Sequence, residues 1–262
     1  MRGVPVPQEA SKRWARARVP LAVWIAVAVV YPLAALLFRL RYRHAERIPP
    51  AGPVLMVLNH ISILDPLGSA RLVWDHGRVP HFLGKESVFR GPAGPLLRRA
   101  GQIPVARFTA DAHEALHAAE ADLAAGNLVV IYPEGSVTRD PQWWPMESRT
   151  GVARLALTTD AVVLPVAQWG AQRAHDYHAN KLHLRLRTPA DYLVGEPVDL
   201  SAQRARLRAG QSLTGELLKE TTDLIMSRVR DQLAELRGEP APLAFHPRPR
   251  RELPGDLAGS AA

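Results

Sequence analysis

One segment, residues 53–65, constrains the fold of this chain more than any other. Residues 54–58 form a continuous apolar run, the pattern of a strand buried on both faces of a parallel sheet. Asn59 and His60 follow the run, and Asp65 stands five residues after the histidine. Five residues turn through about 500° on an ideal helix, so the two side chains meet only where a strand end turns into a helix. The segment therefore predicts an imidazole at the carboxyl end of a strand, oriented by a carboxylate as a general base requires.

The spacing of His60 and Asp65 is weak by itself, because the chain repeats it elsewhere. His117 and Asp122 are also five positions apart, but they lie in an alanine-rich helical stretch with no strand before them. The strand that precedes His60 and the motifs that follow it are what distinguish the first pair.

Composition limits the classes of function. The 262 residues are 47% hydrophobic and 22% charged, which is ordinary for a folded α/β enzyme. The absence of cysteine excludes disulfides, thiolate metal sites and a cysteine nucleophile. A formal charge of +8 indicates attraction to anions such as lipid headgroups or phosphorylated substrates. Only 6% of the residues are aromatic, which argues against nucleic acid as the partner.

The amino-terminal region predicts a membrane anchor. Residues 1–18 are basic and expected to be flexible, and the 20 residues from 19 to 38 carry no charge. About 20 apolar residues are needed to cross a bilayer, and Pro20 and Pro32 would kink such a helix. We expect an uncleaved anchor over residues 19–40 that spans the bilayer or lies within one leaflet; a buried core helix is the alternative.

The region after the predicted anchor divides into three parts. A basic cluster suited to anionic lipid comes first, and it consists of Arg39, Arg41, Arg43 and Arg47. A catalytic domain is expected over residues 41–237. Residues 238–262 are rich in proline, glycine and alanine and are expected to be a disordered tail.

Apolar runs alternate with helical patterns through the predicted catalytic domain. Strands are expected near residues 54–58, 81–85, 103–107, 128–131, 162–167, 182–187 and 192–194, and helices near 66–75, 87–100, 111–125, 151–158 and 211–237. This alternation predicts an α/β fold with a mixed, largely parallel sheet flanked by helices.

Four ordered blocks carry a family resemblance. They are residues 59–65 (NHISILD), Lys85 with residues 101–107 (GQIPVAR), residues 132–136 (YPEGS) and residues 163–166 (VLPV). Together they resemble the PlsC-type glycerolipid acyltransferases, the lysophosphatidic acid acyltransferase family, over about residues 40–200. The resemblance implies a glycerophosphate-acyltransferase-like fold, catalysis by His60 and Asp65, and no cofactor. Acyl-CoA or acyl carrier protein would supply the acyl group as a co-substrate.

The resemblance also implies the residues that bind substrate. They are Asn59, Lys85, Arg107, Glu134, Gly135, Ser136 and Pro165. Arg107 would grip the acceptor's phosphate, Glu134 would accept a glycerol hydroxyl or orient an arginine, and Gly135 would allow close backbone approach.

The third block departs from the family pattern at two positions. Ser136 replaces the usual threonine, and Val137 stands where an arginine is expected. The nearest candidates to supply the missing cation are Arg139 and Arg149, of which Arg139 is the expected one.

We therefore expect acyl transfer to the free hydroxyl of 1-acylglycerol-3-phosphate, which forms phosphatidic acid. Another lysophospholipid or a glycolipid is the alternative acceptor. The expected partners are membrane lipids, the lysophospholipid acceptor and the acyl thioester donor. Because that thioester is cytosolic, we expect the protein at the cell membrane with its catalytic domain facing the cytoplasm.

A second motif points to different chemistry. His113, Glu114 and His117 match the H-E-x-x-H pattern of zinc metalloproteases. No third ligand follows at a suitable spacing, so the zinc protease is a distant alternative.

Overall fold

A seven-stranded sheet forms the centre of the computed structural model, which describes residues 19–105, 112–183 and 185–248. The strands are β1 (Phe38–Arg43), β2 (Val54–Leu58), β3 (Pro80–Lys85), β4 (Ile103–Val105), β5 (Leu128–Ile131), β6 (Val162–Trp169), β7 (His175–Asp176), β8 (Lys181–Leu182) and β9 (Thr188–Val194). The order in the main sheet is β1-β9-β6-β2-β5-β3-β4, and β7 and β8 form a separate hairpin.

The sheet is mostly parallel, as the sequence predicts. The strands β6, β2, β5, β3 and β4 pair in parallel, whereas β9 runs antiparallel to β6 and carries β1 beside it in parallel. All five residues of β2 are buried, because the strand lies in the middle of the sheet with apolar packing on both faces. Val54, Met56 and Leu58 join one core cluster, and Leu55 and Val57 join the other.

Helices cover both faces of the sheet. They are α1 (Leu21–Leu37), α2 (Asp65–Asp75), α3 (Glu86–Phe89), α4 (Gly94–Arg99), α5 (Ala112–Ala124), α6 (Gly151–Thr158), α7 (Ser201–Arg208) and α8 (Gly215–Arg237). The longest, α8, is capped at its start by Thr214, whose hydroxyl accepts the amide of Leu217, and at its end by Gly238 in the left-handed conformation.

Helix α1 occupies most of the predicted anchor. Its Ala22 and Val23 pack with Trp74 of α2, and the ring of Trp24 meets that of Trp74 edge-on. Other large apolar side chains of α1 are exposed, among them Leu21, Ile25, Val29, Leu33 and Leu36. Within the part of the chain that the structure describes, no helix combines the length and the hydropathy that a bilayer crossing requires.

The basic cluster after the anchor is partly a strand that the sequence analysis missed. Arg39, Arg41 and Arg43 lie on β1, where they alternate with inward-facing apolar residues, and the carboxylate of Asp191 on β9 accepts hydrogen bonds from Arg41. The alternation of charge and apolarity is a period-two strand pattern at an edge of the sheet.

Two later predictions are also corrected. Of the described residues between 182 and 187, only Leu182 belongs to a strand, because Arg187 adopts φ +55° and the amide of His183 donates to the carbonyl of Ala174 outside the ladder. Part of the expected disordered tail is folded against the protein: the amide of Glu147 donates to His246, and Phe245 packs on the core. Residues 1–18 and 249–262 lie outside the described residues.

Candidate active site

His60 lies just beyond the carboxyl end of β2, at the turn that leads into α2. Its Nδ1 is 2.8 Å from Oδ2 of Asp65, the first residue of that helix. The histidine side chain is 15% exposed and that of Asp65 is fully buried. The predicted contact between strand end and helix start is therefore present, and the imidazole reaches the surface from a buried carboxylate.

Asp65 is fixed by the backbone that connects it to His60. The amides of Ile61 and Ser62 donate to Oδ2 at 2.7 and 2.9 Å, the same oxygen that faces the imidazole. Because two amide N–H groups already point at Oδ2, this oxygen acts as an acceptor. Nδ1 of His60 is then the donor, and the lone pair of the imidazole lies on Nε2. This arrangement can hold a general base in one tautomer and stabilise its cation.

An aromatic stack holds the other side of the imidazole. The ring of Tyr132 lies 4.5 Å from that of His60 with 25° between their planes, and the ring of Phe82 follows at 6.5 Å from Tyr132. The Tyr132 hydroxyl is 2.8 Å from Oγ of Ser69, and burial raises the pKa of the phenol well above its ordinary value. Tyr132 is thus an uncharged ring that packs against one face of the His60 imidazole. The sequence shows it only as the residue that opens the third block.

The buried side chain of Glu134 joins the loop that carries His60 to the loop that carries Met146. Its Oε1 accepts the amide of His60 at 2.7 Å, and its Oε2 accepts the amide of Met146 at 3.1 Å. The residue is 1% exposed, and burial raises the pKa of its carboxyl to about 8, against the lowering effect of those two amides. Both oxygens are thus engaged by backbone amides in a buried position. This geometry assigns Glu134 to fixing the His60 backbone rather than to the predicted glycerol or arginine contact.

Asn59, like Glu134, is buried and uses its side chain to hydrogen-bond the backbone of another segment. Its side-chain amide donates to the carbonyl of Gln168 at 3.0 Å, its Oδ1 accepts the Gln168 amide at 2.9 Å, and the Gln168 side chain donates to the Asn59 carbonyl at 2.6 Å. Asn59 is fully buried, so the group links the ends of β2 and β6. Pro165 is buried within β6, where it pairs with Val57 and its carbonyl accepts the amide of Gly195.

The other predicted residues follow the carboxyl ends of parallel strands. Lys85 is the exposed last residue of β3, and residues 132–136 follow β5. Since such ends meet at one edge of a sheet, these residues share the edge of His60, where α/β proteins bind ligands. Arg107, expected to follow β4, lies outside the described residues.

Comparison with known proteins identifies the family of this chain. A family model described as Acyltransferase matches residues 39–169, half of the chain. The chain belongs to the PlsC-type acyltransferase family.

Named relatives of this acyltransferase are distant. The 1-acyl-sn-glycerol-3-phosphate acyltransferase alpha of Bos taurus is 26% identical over 177 residues, which are 65% of this chain and 60% of that protein. The Homo sapiens protein of the same name is 28% identical over 145 residues, which are 55% of this chain and 49% of that protein. The match thus spans about half to three fifths of these relatives' lengths.

A solved structure shares the fold of this acyltransferase. The crystal structure of PlsC, the 1-acyl-sn-glycerophosphate (LPA) acyltransferase of Thermotoga maritima, superposes with a TM-score of 0.54 at 20% identity, covering 90% of this chain and 81% of that one. This likeness supports the α/β architecture with its mostly parallel sheet.

An arginine from another segment packs against the third family block. Gly135 has φ +75°, and a Cβ built on it would stand 2.8 Å from Nε of Arg149, so the arginine side chain lies directly against this glycine. The Arg149 amide donates to the carbonyl of Pro133 at 2.9 Å, which ties the two segments together. Val137, which stands at the family's arginine position, is buried.

Arg139 and Ser136 make local contacts. The guanidinium of Arg139 lies 4.8 Å over the ring of Tyr177 and donates to its hydroxyl at 3.2 Å. The Ser136 hydroxyl donates to the carbonyl of Val137. Of the two candidate cations, Arg149 lies against the third block and Arg139 contacts the β7–β8 hairpin.

The zinc motif does not assemble a ligand set. His117 is 78% exposed and its Nδ1 is 3.1 Å from Glu120, and Glu114 is exposed. The described residues contain no group of three His, Cys, Asp or Glu side chains placed to hold a metal. The side chain of His113 lies outside the described part.

Proposed function

We propose that this protein transfers an acyl chain from a thioester of coenzyme A or acyl carrier protein to the free hydroxyl of 1-acylglycerol-3-phosphate, forming phosphatidic acid. The observation that carries the proposal is the His60–Asp65 contact of 2.8 Å at the carboxyl edge of the sheet, within the family blocks. The names of the bovine and human relatives support this acceptor.

The chemistry needs only the chain's own groups. The acceptor oxygen bonds to the thioester carbonyl carbon while its proton passes to Nε2 of His60. The tetrahedral intermediate then expels the thiolate, breaking the carbon–sulfur bond, and the thiolate takes up that proton. Asp65 stabilises the transient imidazolium, and such base catalysis contributes roughly 10²–10⁴-fold.

We place the acceptor's phosphate against arginine. Arg107 closes the second family block, and Arg149 lies over Gly135 in the third block. Arginine is suited to this contact because its planar guanidinium makes paired bonds to phosphate oxygens. Arg149 then supplies the cation that Val137 does not. Lys85, at the end of β3, is a further cation at the same edge.

The site of action follows from these substrates. A lysophospholipid resides in a bilayer and an acyl thioester in the cytosol, so the catalytic domain belongs at the cytoplasmic face of the cell membrane.

A radiolabelled acyl-CoA assay on purified protein tests the function. Lysophosphatidic acid would compete with lysophosphatidylglycerol, lysophosphatidylcholine and a glycolipid, and we expect phosphatidic acid as the main product. Equal use of the lipids without a phosphomonoester would favour another lysophospholipid or glycolipid acceptor. Absence of acyl transfer to every acceptor, from acyl-CoA and acyl carrier protein alike, would contradict the proposal.

Arginine variants test the phosphate contact. Arg149→Ala should lower kcat/KM for the acceptor by the equivalent of about 2–5 kcal/mol and leave the KM for acyl-CoA nearly unchanged. Arg107→Ala should behave alike, and Arg149→Lys should restore activity only in part. Arg139→Ala is the matched control, with a smaller expected loss. If Arg139→Ala alone reproduced the acceptor defect, the missing cation would be Arg139.

A further inference from the structure

Exposed leucines and cations share one segment beside the active site. This segment, which we name the cationic hairpin, consists of the described residues of 175–187 and contains β7 and β8. Leu182 and Leu186 are 53% and 60% exposed, and Lys181, Arg185 and Arg187 are exposed around them. The sequence from 181 to 187 alternates cationic or histidine residues with leucine, and no acidic residue occurs between Asp176 and Asp191.

The cationic hairpin contacts the loop that carries the catalytic histidine. The Ser62 hydroxyl donates to the carbonyl of His175 at 3.2 Å, and His175 pairs with Leu182 across the hairpin. On the other side, Nε2 of His178 is 2.9 Å from the carbonyl of Thr138, whose amide donates to the carbonyl of His60 at 2.8 Å. The cationic hairpin is thus held against two segments that contact or adjoin His60.

Two neighbouring segments add to the apolar surface. The amide of Arg187 donates to the carbonyl of Leu36 at 2.8 Å, which ties the hairpin to the end of α1. Leu36 is 51% exposed, and Ile63, in the loop between His60 and Asp65, is 54% exposed. Exposed apolar side chains therefore come from three segments that hydrogen bonds join to one another, an arrangement typical of an interaction surface.

We propose that the cationic hairpin, together with the carboxyl end of α1, lies on the surface of a bilayer that contains anionic lipid. Apolar side chains interleaved with lysine and arginine are the pattern of segments that lie in the headgroup region, where leucine enters the acyl boundary and the cations meet anionic headgroups. The positive charge of the hairpin favours an anionic partner. Its exposed leucines favour a partner with an apolar layer beneath its anionic groups. A lipid surface supplies both.

Docking of this kind would bring the entrance of the site to the level of the headgroups. A lysolipid acceptor could then reach His60 by moving along the bilayer instead of through water. This consequence rests on the proposed acyl transfer, whereas the docking itself does not.

Vesicle binding of the full-length protein tests the docking without any acyl transfer. Cosedimentation with vesicles of phosphatidylcholine, with and without phosphatidylglycerol, should show binding that is stronger with the anionic lipid. The double variant Leu182→Glu, Leu186→Glu should bind at least about tenfold more weakly, because it replaces two inserting side chains with anions. Leu243→Glu changes an exposed leucine outside the hairpin and is the matched control, expected within about twofold of wild type.

The cations have a separate readout. Lys181→Ser, Arg185→Ser should remove most of the preference for phosphatidylglycerol while retaining the weaker binding to phosphatidylcholine. Thermal unfolding should match wild type for each variant, since all of these side chains are exposed. Wild-type binding by the Leu182→Glu, Leu186→Glu variant would overturn the proposal and assign lipid binding to other segments. The proposal would also be overturned if the wild-type protein did not bind vesicles and bound only an acidic protein.

Turnover then tests the consequence. The leucine double variant should use a monomeric short-chain acceptor at nearly the wild-type rate and a vesicle-embedded acceptor at least about tenfold more slowly. Equal losses on both acceptors would overturn the role in acceptor delivery. Failure of wild type to transfer acyl groups at all would contradict the proposed function and leave the vesicle result to decide the docking.

Discussion

Among the described residues, two close histidine–aspartate pairs have nearly the same geometry and lie at opposite ends of the parallel strands. His60 Nδ1 is 2.8 Å from Asp65, and His81 Nδ1 is 2.7 Å from Asp122. His81 is the second residue of β3 and pairs with Val129, as Leu55 does, so it is level with a residue five positions before His60. At about 3.3 Å per residue the two imidazoles are separated by roughly 16 Å along the strand direction.

The surroundings of the two imidazoles differ more than the pairs do. A Cβ on Gly101 would stand 2.6 Å from Nε2 of His81, so the backbone closes over the nitrogen that a base would use. Asp122 also accepts a hydrogen bond from Asn127 at 2.7 Å, which joins the end of α5 to the start of β5. At His60, by contrast, the aspartate is held by amides of the same turn. We therefore propose that the first pair supplies the base, since the backbone at Gly101 covers Nε2 of the second histidine.

The largest expected effect breaks the first pair. His60→Ala should lower kcat/KM by roughly 10²–10⁴-fold, because no group is left to take the proton of the acceptor hydroxyl. Circular dichroism should show a folded protein, because Asp65 keeps the amides of Ile61 and Ser62 as hydrogen-bond donors when the imidazole is removed. His117→Ala is the control, because His117 is exposed and stands five positions before Asp122. This variant should leave both kcat/KM and folding unchanged. An active His60→Ala enzyme would refute the mechanism.

The second effect concerns the partner of the base. Asp65→Asn can keep an oxygen toward the amides of Ile61 and Ser62, since Oδ1 has no hydrogen-bond partner among the described residues. It removes the charge that stabilises the imidazolium, so we expect roughly a 10²-fold loss of kcat with little change in the KM values. A loss confined to KM would instead give Asp65 a role in binding.

The third prediction concerns the other pair, where we expect a loss of stability without a loss of activity. His81→Ala should lower the free energy of unfolding by about 1–3 kcal/mol, because the partly buried carboxylate of Asp122 loses its partner. Activity per folded molecule should stay within about twofold of wild type. Urea unfolding and turnover at a temperature well below the transition measure the two quantities. A large loss of activity in a stable His81→Ala protein would mean that the second pair also serves the reaction.

This contrast shows what sequence can and cannot predict. The strand at residues 54–58 and the turn to Asp65 were predictable, because a run of five apolar residues and a five-residue spacing are local signals. The pairing of Asp122 with His81 was not, since these residues are 41 positions apart and Asp122 shares its helix with His117. Tyr132 and Glu134 stand in a recognisable block, yet their contacts with His60 come from the meeting of two strand ends.

The last effect is a gradual dependence of stability on pH, and it separates Glu134, which contacts His60, from the second pair. Burial raises the pKa of Glu134 to about 8 from an ordinary value of 4.5, and this residue supports the backbone of His60. Between those two values the folded protein keeps a proton that the unfolded chain has lost. The contribution of Glu134 to stability is therefore fully present below about pH 4.5 and declines as pH rises toward about 8. One proton changes the free energy of unfolding by at most about 1.4 kcal/mol per pH unit.

Glu134→Gln cannot lose a proton, so urea unfolding at a series of pH values should show a shallower decline in this variant than in wild type. His81→Ala, which leaves Glu134 intact, should retain the contribution of this group. An identical pH dependence in wild type and Glu134→Gln would show that the carboxylate is ionised in the folded protein and held by its two amides.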